Sequence, residues 1–439
     1  MQDPCTRTGA ILSSLVALGL TLAAPARAFE DVEVRAMALN EVTPEQFPGA
    51  PAVWMGIDRE IEVDGMGNAV VIEHRVARVF DPEWARRTFA PWRIPYWSAT
   101  QGVRPERLRI WKDPDTPIDL QPGALEDTGD PRVRDFRPYL ALRGIAVTFP
   151  EVEPGDLIEI RYRHVNNVIG GEMNVRWGRI DFGAPEPVVE QQLSLKVPDA
   201  LEVRFEAVGK ELLRQRKALG EFKQWTWVGG NLPARPGGWV DEIFSRYPAT
   251  SAPGDSTFPF VLWSTVADWK YLSDYYGRRW EGLAAERDAS MGLQLSKLSG
   301  KNDPPRERAE KIARYVQKEI ETLDLSFEFL GLRPLEAGEV FRAGAACPRD
   351  KCLLLYSFLR AAGYKATPAM VTGGTRPGSL ELPCPSNTPR FMVRILMDEA
   401  EPLWLDPLEA ESALPAGQAV LFPPRAEQDP SPVVPFPGR

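Results

Sequence analysis

The chain has 439 residues, 44% of them hydrophobic and 26% charged, which describes a folded protein of two or three domains and excludes disorder, collagen and coiled coil. With 52 basic against 61 acidic residues, the net charge of -9 leaves no field for gripping a phosphate backbone, so nucleic acid is not an expected partner. Proline, at 42 residues, is roughly twice as frequent as average and favours turns and edge strands over long helices.

Residues 1–28 have the layout of a signal peptide. Arg7 lies in a short polar start, Ala10 to Ala24 is largely apolar, and Ala26-Arg27-Ala28 gives the small-x-small pattern of a signal peptidase site. Cleavage is expected after Ala28, which leaves Phe29 in front. Cys5 precedes the apolar core and so cannot be the acylated residue of a lipoprotein. A spanning helix needs roughly 20 apolar residues. No later run reaches that length, so the processed chain is expected to be periplasmic or secreted and not membrane-spanning.

Residues 29–250 are expected to form a β-sandwich-like domain. From Val34 to Pro248 short alternating strands are cut by turn residues, with little helical period. Ile57 to Val63 and Val70 to Val79 alternate apolar and polar across Asp64-Gly65-Met66-Gly67-Asn68, the pattern of a hairpin with a glycine-bearing loop. Further strands are predicted near Leu108, Leu157, Gln192, Leu201 and Phe222, divided by turns such as Pro154-Gly155 and Pro198-Asp199. One buried and one wet face on each suits two packed sheets. Trp225 and Trp227 share a strand face and read first as core, second as an aromatic platform. His74 and His164 fall on strands, and with the scattered cysteines they give no zinc spacing, so neither metal nor other cofactor is expected. Arg214-Gln-Arg-Lys217 reads as an exposed loop. Gly170-Gly171 reads as a plain turn, since the further glycines and lysine of a phosphate loop are missing.

Residues 260–420 change to helices followed by strands, the order of an α+β domain with helices on one side of an antiparallel sheet. Thr265, with Asp268 three positions on, is the predicted cap of a helix whose face carries Trp269, Leu272, Tyr276, Trp280 and Leu283. Asp303-Pro304 opens a second, with a stripe of Ala309, Ile312, Ala313, Val316 and Ile320. A third begins at Pro348 and stops at Gly363, which suits a left-handed cap. Strands are predicted from Ala366 to Thr372 and from Phe391 to Met397, and a short segment, Leu403 to Leu405, precedes Asp406-Pro407. Residues 421–439 follow as a Pro-rich flexible tail: six of the last 18 are proline, the composition of an extended, polyproline-like segment.

In order and spacing, Gly331-Leu-Arg-Pro334, Glu339-Val340-Phe341, Cys347-Pro-Arg-Asp350-Lys351 and Leu359-Arg-Ala-Ala-Gly363 resemble the core of the bacterial transglutaminase-like superfamily. Upstream, Pro154-Gly-Asp156-Leu-Ile-Glu159 and Phe222-x-x-Trp225 resemble the domain called DUF3857, which commonly precedes such modules in exported proteins. The two resemblances together run from about Val53 to Pro407. They imply a papain-like second half with a Cys-His-Asp triad: a thiolate at the start of a buried helix, an imidazole on the next strand and an orienting carboxylate on the one after.

The chain departs from that pattern. In the ungapped register from Glu339 to Lys351, Pro348 falls on the nucleophile and Cys347 on the residue before it, unless one inserted residue restores the cysteine. Arg390 falls where the histidine is expected. Asp406, in Trp404-Leu-Asp-Pro407, falls where the carboxylate is expected. No register supplies an imidazole, because no histidine occurs from Val165 to Arg439. A guanidinium with a pKa above ~12 has no basic form at neutral pH, so Arg390 can only hold a thiolate or pair with Asp406. Loss of the base from a comparable hydrolase triad costs on the order of 10⁶ in turnover. Transamidation and proteolysis are therefore not expected.

Cys347 could cap the helix that Pro348 begins, where the helix dipole can lower a thiol's pKa below its usual ~8.5 and leave a reactive thiolate. The alternative is a disulfide that leaves over one of Cys347, Cys352 and Cys384. The superfamily layout brings the loop Pro383-Cys-Pro385 towards the nucleophile position, which favours Cys347–Cys384, then Cys352–Cys384 or no bridge. The functional expectation is an exported pseudoenzyme that binds a polypeptide, a glycan or an envelope protein. The alternative is a divergent thiol acyltransferase or cysteine peptidase using Cys347, with a water relay or His164 as base.

Overall fold

A computed structural model describes residues 29–437 other than 90, 168–174, 209–211, 236–257, 288, 299, 301–302, 326–329, 372–379, 388–389, 398–400, 409–415 and 425–430. The expected signal peptide, Gly170-Gly171 and the end of the strand predicted to reach Thr372 lie outside the described residues. Among the described residues no helix is long and apolar enough to cross a membrane.

The first half is β-rich. Helix α1 (Asp31–Leu39) leads to β1 (Ala52–Val63) and β2 (Ala69–Val79), the predicted hairpin. In its turn the Asp64 carboxylate accepts the N–H of Met66 at 2.8 Å and of Asn68 at 2.9 Å, while Gly67 takes φ +82°. Then come α2 (Pro82–Phe89), β3 (Trp92–Trp97), β4 (Gln101–Trp111), β5 (Pro117–Asp119), β6 (Leu125–Gly129), β7 (Leu142–Val147) and β8 (Leu157–Asn166). They are followed by β9 (Trp177–Asp181), β10 (Val188–Pro198), β11 (Arg204–Val208), β12 (Leu213–Leu219), β13 (Phe222–Leu232) and β14 (Phe260–Ser264).

One sheet of eight strands runs β12-β13-β10-β1-β2-β8-β4-β5, antiparallel except where β1 meets β10. Two small sheets, β3-β7-β6 and β11-β14-β9, complete the region. Trp54, Leu195, Trp225 and Trp227 of the large sheet share a buried cluster with Ile94, Ile180 and Trp263 of the small ones. Both Trp225 and Trp227 are therefore core residues. β14 follows the expected end of this region at residue 250, yet it pairs with β9 and β11. Arg214-Gln-Arg-Lys217 is not a loop but part of edge strand β12, paired with β13. Arg214 lies over the Phe205 ring at 4.2 Å and Arg216 over Trp225 at 5.8 Å, and such charges discourage pairing with another chain.

The second half is α+β. Its helices are α3 (Trp269–Ala285), α4 (Ala289–Leu298), α5 (Pro305–Glu319), α6 (Ala337–Ala343) and α7 (Pro348–Ala361). Its strands are β15 (Glu321–Thr322), β16 (Ala345–Ala346), β17 (Lys365–Val371), β18 (Arg390–Leu396), β19 (Leu403–Leu405), β20 (Gly417–Leu421) and β21 (Val433–Phe436). Thr265 does not cap α3. Asp268 does, accepting the Tyr271 N–H at 2.6 Å, because the helix starts one residue after it; the Thr265 hydroxyl accepts the Arg176 N–H instead, at 2.8 Å. Helix α7 is central, buried at every residue from Pro348 to Leu359. Gly363 ends it with φ +89°, the left-handed conformation expected. Side chains of α3, α5 and α7 cover one face of the sheet β19-β18-β17-β20-β21, with Trp280 stacked on Phe391 at 5.8 Å.

The flexible-tail expectation is corrected at its end. β21 pairs with β20, and Phe436, 1% exposed, meets Trp404 edge-on at 5.2 Å. An edge strand tolerates proline because half of its N–H groups face away from the ladder.

Candidate functional site

Local backbone rules shape the entry to α7. Gly344, φ +68°, closes α6 in the left-handed region, and Ala345-Ala346 then pair with Glu321-Thr322. Cys347 stays extended at φ -67° and ψ 162°, and Pro348 takes the first helical position, where a missing N–H is harmless.

Around this turn lies a buried polar network. The fully buried Cys347 thiol donates to Asp350 Oδ2 at 3.1 Å. The same oxygen accepts the Tyr139 hydroxyl at 2.6 Å, and that hydroxyl accepts the Cys347 N–H at 3.2 Å. Asp350 Oδ1 accepts from the Leu335 N–H at 3.1 Å and from Arg349 Nε at 2.9 Å. Arg349 also donates to the carbonyls of Leu330 at 3.1 Å and Gly331 at 2.6 Å. Lys351 turns the other way, to Ile320 O at 2.8 Å and Thr322 Oγ1 at 2.9 Å. These three charged residues are buried, and each is held by hydrogen bonds, the condition under which burying charge is tolerated.

The surroundings of Cys347 oppose the thiolate, which is one of its two readings. Burial first, and then the negative charge of Asp350, push the Cys347 thiol up to about 12. The helix end cannot offset these, because Asp350 already occupies its first turn.

The structure joins Arg390 to Asp406, Nη2 to Oδ2, at 2.7 Å. Asp406 Oδ1 accepts the Leu408 N–H at 2.8 Å, and its backbone carbonyl accepts from Gln317 Nε2 at 2.9 Å. Of the two roles open to Arg390, the structure has the pairing with the carboxylate. The thiol that feels Asp406 is that of Cys352, which burial and then that charge hold well above the usual range; its Sγ donates to Met392 O at 3.4 Å. Of the four positions that the resemblance would assign to a triad, Arg390 and Asp406 are thus brought together, while Cys347, followed by Pro348 in the helix, is engaged with Asp350 and Tyr139.

The disulfide expectation is also corrected: none of Cys347, Cys352 and Cys384 is disulfide-bonded. They pack in different places. Cys347 lies with Val133, Tyr139 and Leu142, Cys352 in the core around α7, and Cys384 with Phe260 and Leu262, its Sγ 3.8 Å from Gly178 O. Both histidines are engaged in the β-rich half. His74 Nε2 lies 2.9 Å from Glu159 Oε1, and His164 Nε2 lies 3.3 Å from Gln101 Oε1, with burial lowering His164 to about 4. Tyr139, Arg349 and Lys351 went unassigned from the sequence. The acidic first turn of α7 could have flagged Asp350, but nothing local marks Tyr139, 208 residues from Cys347.

Residues 66–236 match the family model of DUF3857, a domain of unknown function with a solved structure, so the β-rich half contains a DUF3857 domain. Among solved structures, one described as a "putative protease" from Parabacteroides distasonis ATCC 8503 is 16% identical, with a TM-score of 0.68, and the match covers 85% of this chain and 70% of that one. At that identity the likeness is one of fold. An M1 zinc metallopeptidase from Deinococcus radiodurans also matches, at 12% identity over 49% of this chain and 44% of that one, but its TM-score of 0.25 carries no argument. No curated protein matches the chain.

Proposed function

We propose that the chain is an exported, non-catalytic binding or scaffolding protein for a polypeptide, a glycan or an envelope partner. In this reading residues 29–250 form the DUF3857-like sandwich, residues 260–420 a transglutaminase-like, papain-like domain, and residues from 421 a C-terminal extension. The fold shared with a neighbour described as a protease supports a peptidase-type scaffold. The observation that carries the non-catalytic reading is the state of Cys347: its buried thiol keeps its proton and donates it in a hydrogen bond to Asp350, which Tyr139 also contacts. A thiol nucleophile needs a thiolate and a base within reach. With the thiol at about 12, the thiolate fraction at pH 7.5 is on the order of 10⁻⁵ to 10⁻⁴, and Arg390 is no proton acceptor.

The test is a paired assay of the exported protein and its Cys347→Ala variant. Fluorogenic peptides and an amine–glutamine substrate pair should give no turnover above buffer with either. Iodoacetamide at pH 7.5 should leave Cys347 unlabelled until the protein is unfolded. Turnover abolished by Cys347→Ala, or rapid native labelling of Cys347, would replace this reading with a thiol acyltransferase or cysteine peptidase.

A further inference from the structure

The residues around α1 lie over the outer face of the large sheet. The Phe29 ring is seated on Gly56, where a Cβ would stand 2.5 Å from it, and its centroid is 5.2 Å from that of His74. Arg107 donates to the Phe29 carbonyl at 3.2 Å. His74 is paired across β1 and β2 with Asp58, which is 1% exposed. One Asp58 oxygen accepts from Gln192 Nε2 at 3.3 Å; the other, Oδ2, is buried with no partner among the described residues. A carboxylate oxygen left so is costly.

The charges acting on this spot are those of other acids. Glu33, which accepts the Glu30 N–H at 2.7 Å, acts on both Asp58 and Glu190; burial first and neighbouring acids second push both carboxyls upward. No group of three or more His, Cys, Asp and Glu is placed to hold a metal ion among the described residues. An N–H donor would satisfy Asp58 Oδ2, and a cationic one would also offset the neighbouring acids.

We propose that Asp58, with Glu33 and Glu190, receives the α-ammonium group that cleavage after Ala28 creates on Phe29, so that processing completes this face of the β-rich half. Hydrolysis of the Ala28–Phe29 amide by water yields the Ala28 carboxylate and the Phe29 ammonium. A single amide N–H is thereby replaced with a cation bearing three donors.

The inference rests on the export reading for its cleavage site. Mass spectrometry of the exported protein tests that reading alone: a chain starting at Phe29 supports it, and any other start overturns it. The contact is tested on full-length mature chains released in vitro from a fusion, one starting at Phe29 and one retaining Ala28. The Phe29 form should melt several degrees higher, and acetylation of its α-amine should be about tenfold slower than in an unstructured peptide, equivalent to one unit of pKa. Asp58→Asn, or α-acetylation of the native protein, should remove the difference in melting. Equal melting temperatures with peptide-like acetylation overturn the proposal, as does a difference that survives both changes.

Discussion

Donors from four residues converge on Asp350, from Cys347, Tyr139, Arg349 and the backbone of Leu335, and this convergence gives the start of α7 its character. A buried carboxylate so supplied is stable, and it keeps the neighbouring thiol protonated. Tyr139 is the donor from the β-rich half, so its hydroxyl links the two halves. Tyr139→Phe removes one hydrogen bond to a buried charged group and should lower stability by roughly 2 kcal/mol, read as a shift in urea midpoint at constant slope. An unchanged midpoint would mean that the Tyr139 hydroxyl does not support Asp350.

At the scale of elements, the C-terminal segment is part of the structure of the second half. Gly277, inside α3, leaves room for the chain at Pro423, since a Cβ there would run into the Pro423 carbonyl. Alanine ordinarily gains about 1 kcal/mol over glycine in a helix, but here the collision is with backbone and outweighs that gain. Gly277→Ala should destabilise by about 1–3 kcal/mol, and a rise in melting temperature would disprove the packing. Deleting residues 431–439 removes β21 and the buried Phe436 ring. It should cost at least the roughly 1.5–3 kcal/mol of that burial and leave β20 as an open edge. A truncated chain that melts like the full one would show the tail to be dispensable.

For the whole molecule, acid is the condition most directly legible in its ion pairs. Burial opposes ionisation of Glu73, but the guanidiniums of Arg59 and Arg75 outweigh it and hold the carboxyl down to about 2. The unfolded chain therefore binds the proton first as pH falls. The contribution is full above pH 4.5 and is lost as pH falls from there to about 2, to a total of about 3 kcal/mol. His74, lowered by burial, acts in the same direction below pH 6.5, because the unfolded state takes up a proton that the folded state resists. Asp58, raised by burial, acts oppositely: stability falls as pH rises above its ordinary value of 3.8, and the loss is complete once pH has passed its folded value. Glu73→Gln separates these effects. The stability difference between wild type and variant should be constant from pH 7 to 5 and shrink below 4.5, and a difference independent of pH would mean that the pair is not formed.

Local chemistry in the sequence was enough for much of this. The β1–β2 hairpin, the stripes of α3 and α5, and α7 with its Gly363 stop follow from period and turn residues, which act over a few positions. That no imidazole follows His164 is a property of composition alone. Tertiary structure decided the rest. The Cys347 thiol depends on burial and on contacts from Tyr139 and Asp350, so its helix-end position pointed the wrong way. Cysteine pairing depends on where each sulfur points, and the three point into different clusters. The proline-rich end reads as extended in either case, and only the open edge of β20 turns it into a strand.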